Sequence, residues 1–230
     1  GTQGIVGESI VLSWSFTTQS ITPVLNAVAT NAQAESMVVV PTGQTTGDIV
    51  PNSPGIADVY IGTLDIPYYL EAPSSGNPAA PLTGYWKGIG GSSLTRFNPS
   101  PVSNTTLTVP VMLTVPNNQM MPVAGWPIVM YQHGITRVRT DVLVYADAMA
   151  QAGFAVIAID LPLHGITDNT NPFHTDNTPF PADVEPTFNL DFVDNATGAP
   201  SPSGDGQIDS SGASFINLSS LLTSRDNARQ

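Results

Sequence analysis

Residues 127–134 read Pro-Ile-Val-Met-Tyr-Gln-His-Gly and residues 155–165 read Ala-Val-Ile-Ala-Ile-Asp-Leu-Pro-Leu-His-Gly; this pair decides the fold. Each opens as a continuous apolar run, Trp126 to Gln132 and Ala155 to Asp160, the pattern of a strand buried on both faces. Each closes on His-Gly. Between them Val142, Leu143, Tyr145, Ala146, Met149 and Ala150 recur at helical spacing over 141–152, and Gly153 follows as a C-cap. Strand, loop, helix and strand within roughly 35 residues make a βαβ unit, so the two strands are expected to be parallel neighbours in an α/β fold.

Upstream the pattern is antiparallel. Residues 58–70 carry Val59, Ile61, Leu64, Ile66 and Tyr68, with a slip near Gly62, and 105–115 alternate Leu107, Val109, Val111, Leu113 and Val115. Pro110 sets the second of these near a sheet edge. The stretch between them, 73–103, reads as a loop anchored by Tyr85, Trp86, Leu94 and Phe97. Further back, 43–55 is a polar linker, 37–40 a brief buried strand stopped by Pro41, and 21–35 a short helix with Thr22 as N-cap and Pro23 behind it. Residues 8–17 alternate as a strand. This divides the chain into a β-rich segment and linker over 1–56 and an α/β unit over 57–230, with strands 58–71 and 105–115 leading the parallel pair. Downstream, 167–213 is long, acidic and rich in Pro, Asn and Gly, which marks a lid-like insertion. A helix-like segment with Leu218, Leu221 and Leu222 begins near Phe215.

Composition narrows the function classes. Of 230 residues, 41% are apolar, enough for a core, and only 10% are charged against about 25% in an average domain. The formal charge of −12 argues against nucleic acid and anionic membrane surfaces as partners. No Lys or Arg occurs between Arg139 and Arg225, where eleven Asp or Glu fall. The absence of Cys removes disulfides, thiolate metal sites and a Cys nucleophile, and is compatible with a secreted or surface protein of a bacterium. No apolar run reaches the length of a membrane span.

Three groups of residues could carry chemistry. His133-Gly134-Ile135 stands at the carboxyl end of the first parallel strand, where open α/β sheets bind ligands. There Gly134 permits a sharp turn and the Ile135 amide can face an oxyanion; equally, His133 can satisfy a backbone group in a plain turn. Asp160 and His164 end the second strand, Asp160 as an acceptor of backbone amides and His164 packed or hydrogen-bonded beside the site. Asp205 and Asp209 offer oxygen ligands for Ca²⁺, although they lack the spacing of an EF-hand and Asp-Gly is an ordinary turn former.

The strand ending Tyr131-Gln-His-Gly134, the helix ending Ala150-Gln-Ala-Gly-Phe154, and Ile159-Asp-Leu-Pro-Leu-His-Gly165 together resemble the α/β-hydrolases. Ser13-Trp-Ser-Phe-Thr-Thr-Gln-Ser20 and Phe215-Ile-Asn-Leu-Ser-Ser-Leu-Leu-Thr-Ser-Arg-Asp-Asn227 resemble, more narrowly, the secreted bacterial lipases of the virulence-factor type. The resemblance covers most of the chain. It implies a carboxylic-ester hydrolase, a lipase or esterase that needs no cofactor, takes an acyl ester or lipid, and holds the oxyanion through Gly134 and Ile135. One departure is decisive for this chain. The family requires a Gly-x-Ser-x-Gly elbow followed by an acid and a His, yet no Ser here has that setting, and His133, His164 and His174 all precede the place where it would fall. The nucleophile, acid and base are therefore expected in a remaining C-terminal part, and residues 1–230 alone are expected to be inactive. The alternative is a non-catalytic acidic surface or binding module on the same scaffold; a weaker one is an unconventional hydrolase pairing an in-chain Ser with His133 or His164.

Overall fold

A computed structural model describes Ser15, residues 22–209 and residues 212–230; the strand expected over 8–17 lies, Ser15 apart, outside them. Five strands form one mixed, open sheet: β1 (Met37–Thr45), β2 (Ala57–Tyr68), β3 (Thr105–Pro116), β4 (Ile128–Tyr131) and β5 (Ala155–Ile159). Their spatial order is β1-β2-β3-β5-β4. The first three strands are antiparallel, β5 runs antiparallel to β3, and β4 and β5 are parallel. The leading antiparallel pair and the parallel pair thus take the arrangement read from the sequence.

Between β4 and β5 the chain makes a 3₁₀ turn at Arg139–Val142 and then helix α4 (Leu143–Gln151). Leu143, Ala146 and Ala150 are its buried residues, one stripe at helical spacing. The helix stops in a Schellman arrangement. Phe154 N–H donates to Met149 O (3.0 Å) and Gly153 N–H to Ala150 O (2.9 Å), with Gly153 at φ +83°, where glycine carries no Cβ penalty. Val142 and Leu143 join Val59, Met112, Val156, Ala158, Ile166 and Phe173 in the main core. Each such fully buried aliphatic side chain contributes about 1.5–3 kcal/mol.

Smaller elements complete the unit. Helix α1 (Pro23–Asn31) sends Val24 into a second cluster with Tyr68, Leu70 and Trp86. Thr22 occupies its N-cap position without a side-chain cap bond. The expected linker contains a single helical turn, α2 (Thr46–Ile49), and is pinned to α4 by Asp147. That carboxylate accepts Thr46 Oγ1–H (2.5 Å), Ile56 N–H (3.0 Å) and the Ser53 hydroxyl. A third turn of helix, α3 (Ala80–Thr83), lies in the long excursion between β2 and β3. Helix α5 (Leu221–Asn227) carries the fully buried Asp226, whose Oδ2 accepts Trp86 N–H at 3.0 Å.

Several expectations need correction. β4 is not buried on both faces: it forms the sheet edge, with Ile128 61% and Met130 86% exposed, because no strand among the described residues lies beyond it. β1 is likewise an edge strand, largely exposed, and continues through Pro41 to Thr45 with a register shift after the proline. β3 is central rather than near an edge. It tolerates Pro110 because the β3–β5 ladder ends at Val111 opposite Ile159, so the missing N–H is not needed on that side. Gly62 marks no slip, since β2 pairs with β3 in unbroken register. A Cβ there would stand 2.1 Å from Val38 O, so Gly62 admits the close approach of β1. Among the described residues no helix is long and apolar enough to cross a membrane.

Candidate functional site

The two His-Gly turns lie side by side because β4 and β5 are parallel neighbours that end together. Gly134 to Arg137 is a β-turn closed by Arg137 N–H donating to Gly134 O at 3.0 Å. Its third residue, Thr136, sits at φ +65°. A β-branched residue there is an outlier, and such strain, costing about 1–3 kcal/mol, gathers at functional sites. The residue with left-handed backbone is therefore Thr136 and not Gly134. A Cβ on Gly134 would meet only Arg137 Cγ, at 3.8 Å.

Two imidazoles brace the turns crosswise. His133, in the first turn, accepts Leu161 N–H of the second at its Nε2 (3.1 Å), while its Nδ1–H donates to Gly134 O (2.8 Å). His164, in the second turn, accepts Thr136 N–H of the first at its Nε2 (3.1 Å), while its Nδ1–H donates to Pro162 O (2.9 Å). A ring nitrogen facing a carbonyl must carry the proton, and one facing an N–H must be bare, so both rings are neutral Nδ1–H tautomers. The rings are 4.7 Å apart between centroids, and Phe215 meets His164 edge-on at 5.1 Å. Burial lowers the pKa of His164, helped by His133 and opposed by the Pro162 carbonyl and Asp160.

Below the imidazoles lies a buried charge cluster. Asp160 accepts Arg139 N–H at Oδ1 (2.6 Å) and the Arg139 guanidinium at Oδ2. The same guanidinium forks onto Glu185, with two bonds of 2.7 Å, and donates to Phe173 O (2.7 Å). Glu185 also accepts Ile166 N–H (3.1 Å) and Thr175 N–H (3.2 Å). All three side chains are at most 2% exposed. Burial opposes the charge of Arg139, but Asp160 and Glu185 outweigh it and raise its pKa. His133 Nε2 stands 3.6 Å from Asp160 Oδ1, beyond hydrogen-bond reach, so the cluster lies directly beneath the turns without bonding to that ring.

The acidic insertion is thus built into the site. Glu185 grips Arg139, and Gly212 packs on the clasp: a Cβ on Gly212, at φ +92°, would be 2.4 Å from His164 Nε2 and 2.6 Å from Thr136 N.

Of the residues singled out from sequence, His133, Gly134, Ile135, Asp160 and His164 come together here. His133 satisfies the Leu161 amide, and Asp160 accepts a backbone amide as expected of it. Ile135 is 45% exposed, and its N–H donates to no group among the described residues. Asp205 and Asp209 lie elsewhere. Asp205 accepts Asn195 N–H (2.7 Å) and Gln207 N–H (2.9 Å), which hold its pKa low, and Asp209 accepts Val193 N–H (2.8 Å) and Phe192 N–H. His174, Asp168, Asp176 and Asp183 line an open polar cleft of about 480 Å³ in the insertion. Among the described residues no group of three His, Asp or Glu is arranged to hold a metal ion. Sequence reasoning missed Arg139 and Glu185. Arg139 had one signal: it is the last base before eighty-five residues without one, and acids outnumber bases three to one in the chain.

Fold and site define a class: an open α/β sheet with a braced, strained turn pair at the carboxyl ends of its parallel strands. No family model, curated protein or solved structure matches the chain.

Proposed function

We propose that this protein is part of a carboxylic-ester hydrolase, a lipase or esterase secreted or displayed by a bacterium, in which residues 133–136 form half of the oxyanion site. The observation that carries this reading is the Ile135 amide: free within the described residues, at the tip of a strained turn, and beside the carboxyl end of a parallel strand. The Ile135 side chain is exposed and the turn is braced, so an N–H that no described protein group takes is accessible to a ligand's oxyanion, which supports anion binding. The order β1-β2-β3-β5-β4 and the open edge of the β4–β5 parallel pair also support it, since parallel strands are ordinarily covered. In this reading a Ser hydroxyl, supplied from outside residues 1–230, attacks the ester carbonyl and gives its proton to a base supplied with it. That base later returns the proton to the departing alcohol oxygen as the C–O bond of the ester breaks. The carbonyl π electrons move to oxygen, and the Ile135 N–H donates to the oxyanion so formed. The non-catalytic alternative, an acidic surface module, draws on the missing elbow alone.

Ile135→Pro is the direct test. Pro removes the N–H and suits the second position of a turn whose third residue has positive φ, so the fold should survive. In the natural gene product, hydrolysis of p-nitrophenyl esters should lose roughly a hundredfold or more in kcat with little change in KM. Residues 1–230 alone should hydrolyse no faster than background. A folded variant with full kcat, a natural product without esterase activity, or stoichiometric fluorophosphonate labelling of a Ser within 1–230 overturns the reading as stated.

A further inference from the structure

The crossed imidazoles do more than fill space. The donor and acceptor ends of the clasp have the same spacing in both turns: His133 and Thr136 in one, Leu161 and His164 in the other. Each ring gives its Nε2 to the opposite turn, so neither turn is held by its own sequence alone. The bond on Thr136 is the consequential one. Thr136 is the strained residue, its Oγ1–H is spent on Ile135 O (2.6 Å), and its N–H has His164 Nε2 as acceptor. A second proton on His164 would turn that acceptor into a donor facing a donor. The ring cannot answer by flipping, because Pro162 O holds Nδ1–H and Gly212 leaves no room at Nε2.

We propose that His164 is a positioning residue for the anion-binding turn, holding Thr136 and hence the Ile135 amide in place only while its Nε2 is unprotonated. This makes the turn sensitive to acid. The proposal rests on the reading of that turn as the oxyanion site. The titratable and charged groups facing His164 are His133 from the first turn and Asp160 at the end of β5. Behind Asp160 stand Arg139 and, from the insertion, Glu185, which would touch a Cβ on Gly165 at 2.8 Å. The last packed segment contributes Gly212 and Phe215, neither charged. Arg139 is matched by two carboxylates, so the cluster as a whole favours a cation at His164 while desolvation disfavours one. Burial is the larger influence, consistent with a lowered pKa.

The test reads the turn itself by NMR on ¹⁵N-labelled 1–230. In the unsubstituted protein the His164 ring nitrogens and the Thr136 and Ile135 amides should titrate together, with one midpoint below that of an ordinary His. Thr136 exchange, corrected for its intrinsic rate, should quicken about tenfold or more across that midpoint. His164→Gln offers a non-titrating acceptor at the place of Nε2. It should keep Thr136 protected on both sides of the midpoint and abolish the coupled titration. His164→Phe keeps the ring without the acceptor and should leave Thr136 fast-exchanging at every pH. Separate midpoints for His164 and Thr136, or a Thr136 amide that titrates unchanged in His164→Gln, overturn the proposal. Should the Phe variant not fold, the other two proteins decide the matter. These readouts involve no ester. Their failure leaves the hydrolase reading standing, and a natural product without esterase activity but with the coupled titration overturns that reading alone.

Discussion

Replacing Arg139 by Met removes the best-buried Lys or Arg cation among the described residues. The guanidinium makes four side-chain hydrogen bonds: one to Asp160 Oδ2, two of 2.7 Å to Glu185 and one of 2.7 Å to Phe173 O. A hydrogen bond to a charged group is worth about 1.5–3 kcal/mol. Adding four of these would overstate the loss, because desolvating Arg139 costs several kcal/mol that the Met variant no longer spends. The net loss on breaking a buried pair from one side is about 3–5 kcal/mol, a large part of a stability of about 5–15 kcal/mol. With a urea m-value near 2.5 kcal/mol/M, the unfolding midpoint followed by circular dichroism should fall by about 1.5 M. In the unsubstituted protein His164 has a folded pKa below its unfolded value of 6.5, so the unfolded chain binds the extra proton first. Stability therefore falls as pH drops below about 6.5 and levels off beneath the folded pKa. In Arg139→Met the Asp160 and Glu185 carboxylates, which bonded the same nitrogen, face each other without a cation. A midpoint shift under about 0.5 M refutes the reasoning.

Gly212→Ala should destabilise by about 2 kcal/mol or more and lower the melting temperature by several degrees, since it combines a left-handed backbone with a Cβ 2.4 Å from His164 Nε2. The Thr136 amide should lose protection in the same variant. Asp147→Ala should cost about 2–4 kcal/mol, because the carboxylate is the shared acceptor for Thr46, Ser53 and Ile56. Limited proteolysis should then open within 46–56 while β4 and β5 stay protected; cleavage no faster than in the unsubstituted protein would sink the anchoring role of Asp147.

How much of this was legible follows from the range of the interactions involved. The parallel pair, its helix and the Gly153 stop are local patterns, with apolar runs and helical spacing that survive without neighbours. Burial of β4 was misread because an apolar run reports what a strand prefers, not which of its sides has a neighbour. Pro110 misled for a related reason: its tolerance in β3 depends on where β5 ends. The site was half visible. His-Gly twice at strand ends located it, but the crossing of His133 to Leu161 and His164 to Thr136 is a tertiary fact. Glu185 was hidden within an insertion whose many acids all look alike in one dimension. Gly134 signals the sharp turn in the sequence, but the left-handed backbone falls on Thr136, which no local pattern marks.

The tail of the described chain has a consequence for how the protein comes to be folded. Gln230 accepts Tyr69 N–H at 2.9 Å across 161 residues and donates to Pro67 O, and Asp226 accepts Trp86 N–H across 140. Closing loops of that span adds only slowly to the entropy cost, which grows with the logarithm of length, but it delays the search. A nascent chain emerging from a ribosome can form α4 early, yet the end of β2 and the backbone of Trp86 stay without these partners until the last turn of α5 has been made. Although every described strand lies before residue 160, the Tyr69 and Trp86 amides and the Pro67 carbonyl must be held by water for the whole of that interval, so the last stage of folding is the docking of residues 226–230.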